Sequence, residues 1–228
     1  MGERAHRRWT QALLAAALCM APSAARASVE HRTPDIRVVN PTSARSAARL
    51  RIPMTVHVAA TADTSAVDTR RLMQAVHRTN KELAAHGIEV YIARLLVLPE
   101  GHTGVRGRRG MRRLAQFAPK DGTVHVFFVQ TVALVGSYRT TQPVRGLHWR
   151  VGGPWGSRLR DRELLVIGGD APATTLVHEL GHLFGLQHAE GRQNLMCSCR
   201  EGPQQIFTRS QGQQLRRGAG AFMRRGGV

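Results

Sequence analysis

The segment His178–His188, with the sequence HELGHLFGLQH, decides how the rest of the chain is interpreted. Residues four apart in an α-helix lie one turn apart on the same face, so His178 and His182 can direct their ring nitrogens at one point. Glu179 is rotated by about 100° around the helix axis, which places its carboxylate beside that point without making it a ligand. The spacing therefore predicts a helix that holds a metal ion with a carboxylate alongside.

Gly185 and His188 extend this pattern beyond the helix. A glycine three residues after His182 lies where a helix can end by entering the left-handed conformation, which glycine adopts at least cost. The chain can then turn and bring back His188 as a third nitrogen ligand. Three protein nitrogens leave the fourth tetrahedral position for water, which is typical of a catalytic zinc site. The alternative is a buried helix whose histidines are satisfied by backbone carbonyls.

The same residues resemble the zinc-binding signature of the metzincin metalloendopeptidases, H-E-x-x-H-x-x-G-x-x-H. Asn194-Leu195-Met196 is similar to the Met-turn of that family, and its distance from His188 is similar to that in the matrixin branch. The resemblance implies that Glu179 is the general base and that Met196 forms an apolar floor beneath the metal. It also implies one catalytic Zn²⁺ ion with three ligands, His178, His182 and His188.

The resemblance also implies an α+β fold of the zincin-like, metzincin type in a single catalytic domain. Its expected parts are a twisted five-stranded mixed sheet, a long backing helix, the active-site helix and a small C-terminal subdomain that ends in a helix. In this family an edge strand aligns extended substrate, and Val144–Val151 is the corresponding segment here. His148 in that strand is either solvated or in contact with substrate.

Hydrophobic patterning outside the motif agrees with that fold. The expected strands are 51–59, 88–98, 124–135, 144–153 and 163–168. The expected helices are about 65–86, one that Asp170 and Pro172 open before the motif, and 208–225. Residues 101–113 are rich in glycine and arginine, which indicates an exposed loop that leads into a short helix through Phe117.

The N-terminus has the features of a secretory signal peptide. Three arginines precede an apolar run over 12–21, and Ala25-Arg26-Ala27 supplies a small-x-small cleavage pattern. We expect residues 1–27 to be removed, 28–50 to form a flexible arm, and 51–228 to form the catalytic domain. The mature protein is then secreted or periplasmic.

The composition is that of a globular protein with a strongly basic charge. The 228 residues are 42% hydrophobic and carry a formal net charge of +18, almost all of the cations being arginine. Aromatic residues make up only 5%, and no nucleic-acid-binding motif is present, so no specific nucleic acid is expected. The expected partner of this monomer is a peptide or protein substrate, and an anionic envelope surface stays open as a second one.

Two cysteines remain after signal removal, Cys197 and Cys199. In an exported protein a disulfide between them would stiffen the Met-turn, although one intervening residue makes a strained ring. Free thiols, intermolecular pairing and a thiolate ligand to zinc stay open. Ser198 stands where some metzincins place a tyrosine that assists the oxyanion, so Glu179 and the metal are expected to do most of the catalytic work.

Two functions are consistent with these residues. The first is peptide hydrolysis, in which zinc acidifies a water molecule, Glu179 takes its proton, and the proton returns to the leaving amine. The second is a basic module that binds the cell envelope or anionic polymers and retains a zinc site without turnover. The intact Glu179 favours the enzyme.

Overall fold

The computed structural model describes residues 50–61, 63–135, 141–152, 158–198 and 206–226. All of them fall within one compact unit, His31–Val228. The expected signal peptide lies outside the described residues, as does the expected flexible arm except for Leu50, which begins the first strand. No helix in these ranges is long and apolar enough to cross a membrane.

The described residues form eight strands and four helices. The strands are β1 (Leu50–Ala59), β2 (Ile88–Leu98), β3 (Gly104–Arg106), β4 (Val124–Val129), β5 (Thr131–Val135), β6 (Thr141–Val144), β7 (Gly146–Arg150) and β8 (Glu163–Gly168). The helices are α1 (Thr69–Ala84), α2 (Gly107–Ala115), α3 (Thr175–Leu183) and α4 (Arg209–Arg225).

The central sheet has five strands in the order β2-β1-β4-β8-β7. The first four are parallel, and β7 runs antiparallel to β8. Parallel strands are covered on both faces, which explains why every residue of β4 is buried and why all of them except His125 are apolar. The expected five-stranded mixed sheet is confirmed, and the strand at its antiparallel edge is the one that the sequence placed there.

Helix α1 is the backing helix that the apolar spacing predicted. It packs against β2 and α3, and Leu72, Val76 and Leu83 are among the residues of its buried face. The helix begins at Thr69 because the Asp68 carboxylate accepts a hydrogen bond of 2.7 Å from the backbone N–H of Arg71. This cap places the start four residues later than the periodicity indicated.

Helix α3 carries the metal-binding motif and packs against β7 and β8. It begins at Thr175 and not at the expected Asp170, because a turn comes first: the N–H of Thr175 donates to the C=O of Pro172. The C-terminal helix agrees with prediction, since α4 starts directly after Thr208, whose side chain and Gln211 form a capping box.

The expectation of one strand over 124–135 is wrong. The chain leaves the central sheet at Gln130, whose N–H donates to the C=O of Thr103 and whose C=O accepts from Gly169. Beyond it, β5 joins a separate three-stranded sheet in the order β3-β5-β6. A continuous apolar run shows that a segment can be buried but not which sheet each part joins.

Two further boundaries differ from the sequence prediction. The expected loop over 101–113 contains β3 and most of α2, whose buried face includes Met111 and Leu114. The edge strand is also shorter than Val144–Val151: Val144 ends β6 in the smaller sheet, and β7 starts at Gly146. In both places the chain contacts the second sheet, which the sequence did not reveal.

A polar cluster lies inside the apolar core. His57 on β1 and His125 on β4 are both buried, and their rings share a hydrogen bond of 3.1 Å between Nε2 and Nδ1. The other nitrogen of His125 contacts the Asp121 carboxylate at 3.1 Å, and Asp121 also pairs with Arg94. Burial, followed by the charges of His125 and Arg94, lowers the pKa of His57 to about 3.

This low pKa predicts a loss of stability in acid. In the unfolded chain the pKa of His57 is about 6.5, so between that pH and about 3 the unfolded state binds more protons and the free energy of unfolding falls as the pH falls. The integrated effect is about 3 to 5 kcal/mol for this residue alone. Urea unfolding from pH 7.5 to pH 3.5, with a chelator in every sample, measures it.

The variant His57→Leu should show a shallower pH dependence than the wild type, although it is less stable at pH 7.5 because His125 loses a partner. The matched control His77→Leu removes an exposed histidine from α1 and should keep the wild-type pH dependence. Parallel curves for wild type and His57→Leu would contradict this interpretation.

Candidate metal centre

The motif lies at one side of a cavity of about 800 Å³. Edge strand β7 forms one wall of this cavity, α3 forms another, and the segment 186–198 closes it. All three predicted ligands and Glu179 line it, and so do Leu195, Cys197 and Ser198. The predicted ligands and the predicted general base are thus brought together around one space, whereas Met196 does not line it.

The three histidines direct one nitrogen each at a common point. The Nε2 atom of His182 lies 3.2 Å from that of His178 and 3.1 Å from that of His188. Among the described residues, these three histidines form the cluster of potential metal ligands, since one nitrogen atom of each lies within 4.8 Å of the others. The helix supplies the first two, and the returning chain supplies the third, as the spacing predicted.

Backbone carbonyls determine which nitrogens face that point. The Nδ1 of His178 lies 2.6 Å from the C=O of Leu195, and the Nδ1 of His182 lies 2.9 Å from the C=O of Leu186. A carbonyl oxygen can only accept, so each Nδ1 carries the proton and each Nε2 presents a lone pair. The predicted alternative, in which carbonyls satisfy the histidines, is thus true of one ring nitrogen in His178 and in His182. It leaves the other nitrogen of each ring available for an ion.

The residues present fit a zinc ion. Nitrogen ligands about 2.0–2.1 Å from a tetrahedral ion lie about 3.3 Å apart, close to the separations found here. Burial is the main cause that lowers the pKa values of His178 and His182, and metal ligands must be neutral. Lone pairs facing one another at such distances repel unless a cation lies between them.

The end of α3 brings the third histidine into position. The N–H of Leu186 donates to the C=O of Gly181, and the N–H of Gly185 donates to the C=O of His182, which together form a Schellman motif. Gly185 has a φ of +94°, so a side chain there would be strained. This turn both reverses the chain toward His188 and places the Leu186 carbonyl on the His182 ring.

Glu179 lies beside the imidazoles with its carboxylate almost enclosed, since only 5% of the residue is exposed. Burial raises the pKa of Glu179 to about 7, and a hydrogen bond from the backbone N–H of His148 opposes this shift. The sequence indicated a carboxylate in this place but not its backbone donor. That donor comes from the edge strand, which is distant in the chain.

The His148 side chain is half-buried and lines the same cavity, so it is not the solvated strand residue that the sequence left open. Burial, followed by the nearby His182 and Arg150, lowers the pKa of His148 to about 4. Its Nε2 is enclosed and has no hydrogen-bond partner among the described residues.

Met196 is fully buried and packs against the active-site helix. A Cβ added to Gly181 would lie 2.5 Å from the Met196 sulfur, so the helix can approach the thioether only because residue 181 is glycine. The C=O of Met196 accepts from Ala189, which connects the turn to the segment that carries His188. Met196 thus contacts the helix that carries His178 and His182, and its role as an apolar floor beneath a metal ion stays a prediction.

The sequence missed the residues that hold this turn. The side-chain amides of Asn194 and Gln211 form two reciprocal hydrogen bonds of 3.0 and 3.1 Å, and Asn194 also accepts from the N–H of Met196 at 2.8 Å. Gln211 is the capping-box residue of α4. The capping pattern was visible in the sequence, but nothing there linked it to Asn194.

The cysteine prediction falls partly outside the described residues. Cys197 is disulfide-bonded, whereas Cys199, its predicted partner, is outside the described ranges. The pairing stays a prediction. Ser198 is exposed at the cavity.

Comparison with known proteins gives only distant structural likeness. No protein-family model matches the chain, and no curated protein matches it in sequence. Archaemetzincin from Methanopyrus kandleri is similar in structure, with 18% identity over 74% of this chain and 96% of that one and a TM-score of 0.47. Metalloproteinase-II from Bacteroides fragilis gives 10% identity over 77% of this chain and 55% of that one, with a TM-score of 0.48. At these scores the function has to be argued from the site itself.

The Asn194–Gln211 pair predicts that α4 supports the metal centre. We expect Gln211→Ala to lower the free energy of unfolding by about 1–2 kcal/mol, because it removes the two hydrogen bonds to Asn194 and the one that Gln211 accepts from the N–H of Thr208. Zinc affinity should fall by about tenfold, since the Leu195 carbonyl that orients His178 lies in the same turn. Competition with a chromophoric chelator measures that affinity.

Gln213→Ala is the matched control, because Gln213 is exposed on the same helix. It should leave zinc affinity within about twofold and stability within about 0.5 kcal/mol of wild type. Equal effects of the two substitutions would show that the pair does not support the site.

Proposed function

We propose that this protein is a zinc-dependent endopeptidase. The observation that carries the proposal is the convergence of three histidine Nε2 atoms beside a buried carboxylate, in a cavity bordered by edge strand β7. The ligands are His178, His182 and His188. Three ligands leave a tetrahedral ion one position for water or substrate, which supports a catalytic over a structural site.

The chemistry is divided between the ion and Glu179. When bound, zinc supplies Lewis acidity, which acidifies water and polarises a substrate carbonyl. The Glu179 carboxylate takes one proton from the attacking water, and the remaining hydroxyl adds to the carbonyl carbon. Glu179 then returns that proton to the amine nitrogen as the C–N bond breaks, so that atoms and charge balance and the carboxylate is regenerated.

Strand β7 supports a peptide as the substrate. One of its edges pairs with β8, and the other borders the cavity. An extended peptide can pair through main-chain hydrogen bonds with groups of this edge other than the His148 N–H, which Glu179 occupies, and this brings a backbone carbonyl to the zinc ligands. The cavity volume is about 800 Å³, and any peptide backbone can form such main-chain hydrogen bonds. Both features favour a protein or peptide over a small acyl compound as the substrate.

The cellular location is part of the same proposal. The basic start, the apolar run and the small-x-small pattern at residues 25–27 support export and cleavage near Ala27. The mature enzyme then acts as a secreted or periplasmic monomer. A Cys197–Cys199 disulfide is consistent with an oxidising compartment.

The general-base role predicts the effect of Glu179→Ala. Hydrolysis of a generic protein substrate should fall by at least about 10³-fold, because the proton acceptor is gone. Zinc should stay near one ion per chain by elemental analysis, because Glu179 is not a ligand. Glu100→Ala, which removes an exposed carboxylate, is the control and should keep wild-type activity. Unchanged cleavage by Glu179→Ala, or undiminished cleavage with a chelator, would reject the mechanism.

One observation favours the alternative function, a basic binding module. Five exposed arginines surround α2, and none forms an ion pair within the described residues: Arg106, Arg108, Arg109, Arg112 and Arg113. Like charges one turn apart on a helix repel, and those in its first turn also oppose the helix dipole. An anionic polymer would relieve both effects.

This alternative predicts binding to heparin that weakens steeply with salt and ignores chelators. Replacing the four arginines of α2 with glutamine should then reduce the affinity and its salt dependence more than the same replacement of four exposed arginines of α4, Arg209, Arg216, Arg217 and Arg224. Equal losses from the two helices would indicate only net charge. Binding without any cleavage by the wild type would favour the module over the enzyme.

A further inference from the structure

Strand β7 turns alternate backbone groups toward the cavity. The C=O of Arg145, just before the strand, accepts from the N–H of Gly168, and the N–H of Val151, just after it, donates to the C=O of Arg162. In an antiparallel pair, the residues that bond across the ladder alternate with residues whose backbone groups point away. Odd-numbered residues therefore bond to β8, while Gly146 and His148 direct their N–H and C=O groups away from β8, at the outer edge of the strand.

Glu179 is held at that outer edge. Its carboxylate accepts the hydrogen bond from the backbone N–H of His148. Two residues earlier, an added Cβ on Gly146 would lie 2.7 Å from Glu179 Oε1 and 3.1 Å from Glu179 Cγ. The carboxylate therefore occupies the space that a side chain at residue 146 would take, and the next edge donor along the strand fixes its direction.

Backbone conformation does not explain this glycine. Gly146 is not one of the residues with positive φ, so an alanine there meets no backbone strain. What excludes a side chain is the closeness of β7 to α3, whose Thr175 and Glu179 lie one turn apart on the same face. The added Cβ would also lie 2.4 Å from Thr175 Cγ2.

We propose that Gly146 is a positioning residue for the general base: its missing side chain and the N–H of His148 together fix where the Glu179 carboxylate lies. This inference rests on the proposed endopeptidase function. Glu179 is enclosed, so the carboxylate cannot yield to a Cβ without leaving its hydrogen bond or shifting the strand. A displacement of about 1 Å at a reacting group reduces turnover by about 10²-fold.

The first test compares two glycine-to-alanine substitutions. Gly146→Ala should lower kcat by about 10²-fold, with KM within about threefold and zinc near one ion per chain, because ligands and substrate edge persist while the base moves. Gly152→Ala is the matched control beyond the same strand, where an added Cβ meets nothing within 4 Å, and it should behave as wild type. Wild-type kcat in Gly146→Ala would overturn the proposal.

A second variant separates the two contacts of the added methyl group. Thr175→Ser removes Cγ2, so Gly146→Ala/Thr175→Ser keeps only the contact with Glu179. Its kcat should stay low relative to Thr175→Ser alone. Recovery to the level of that single variant would show that Gly146 serves helix packing and not the carboxylate.

An NMR measurement keeps this inference separate from the proposed function. The amide proton of His148, labelled with ¹⁵N, should resonate downfield in wild type because it donates to a carboxylate. It should move upfield by a similar amount in Glu179→Ala and in Gly146→Ala, and should not move in Gly152→Ala. An inactive wild type with these shifts would reject the endopeptidase while the position of Glu179 stands. An unchanged amide in Gly146→Ala would reject the inference even if the wild type hydrolyses peptides.

Discussion

The site depends on three imidazole Nε2 atoms that face one point. The Nε2 atoms of His178 and His182, 3.2 Å apart, cannot share a proton, because the Nδ1 of each ring already carries one for a backbone carbonyl. A cation bound at this point turns the repulsion between their lone pairs into attraction. The helix, the turn after it and the segment through Met196 therefore act together. They hold histidine nitrogen atoms close to one another although lone pairs among them repel when no cation is bound.

Much of this site could be predicted because the residues that form it are close to one another in the sequence. The separation of four residues placed two rings on one helix face, and Gly185 predicted the turn that returns His188, which its φ of +94° confirms. The contacts that refine the site were not predictable, since they join distant segments. Gly146 is an ordinary glycine in an edge strand until α3 lies against it, and Gln211 is only a helix cap until Asn194 reaches it.

The errors in the fold have the same origin. A run such as 124–135 contains enough apolar residues for one buried strand, yet backbone bonds from Thr103 and Gly169 to Gln130 direct its second half to another sheet. His57 and His125, which look unremarkable in strand patterns, become a coupled pair because β1 and β4 are adjacent strands, in which His57 lies opposite Phe127, two residues from His125. Periodicity predicts which face of an element is buried, whereas the partner depends on topology.

The three histidine ligands are held in place by different numbers of contacts, and this affects how metal binding stabilises the fold. The first two ligands lie on a helix packed against the sheet, but His188 is exposed and belongs to a returning segment held by a few hydrogen bonds from Ala189, Asn194 and Gln211. An ion that binds only the assembled ligands adds about 2.7 kcal/mol to folding at a hundred times its dissociation constant. Because His188 is one of those ligands, metal binding is linked to the folding of the returning segment and, through Asn194 and Gln211, to α4.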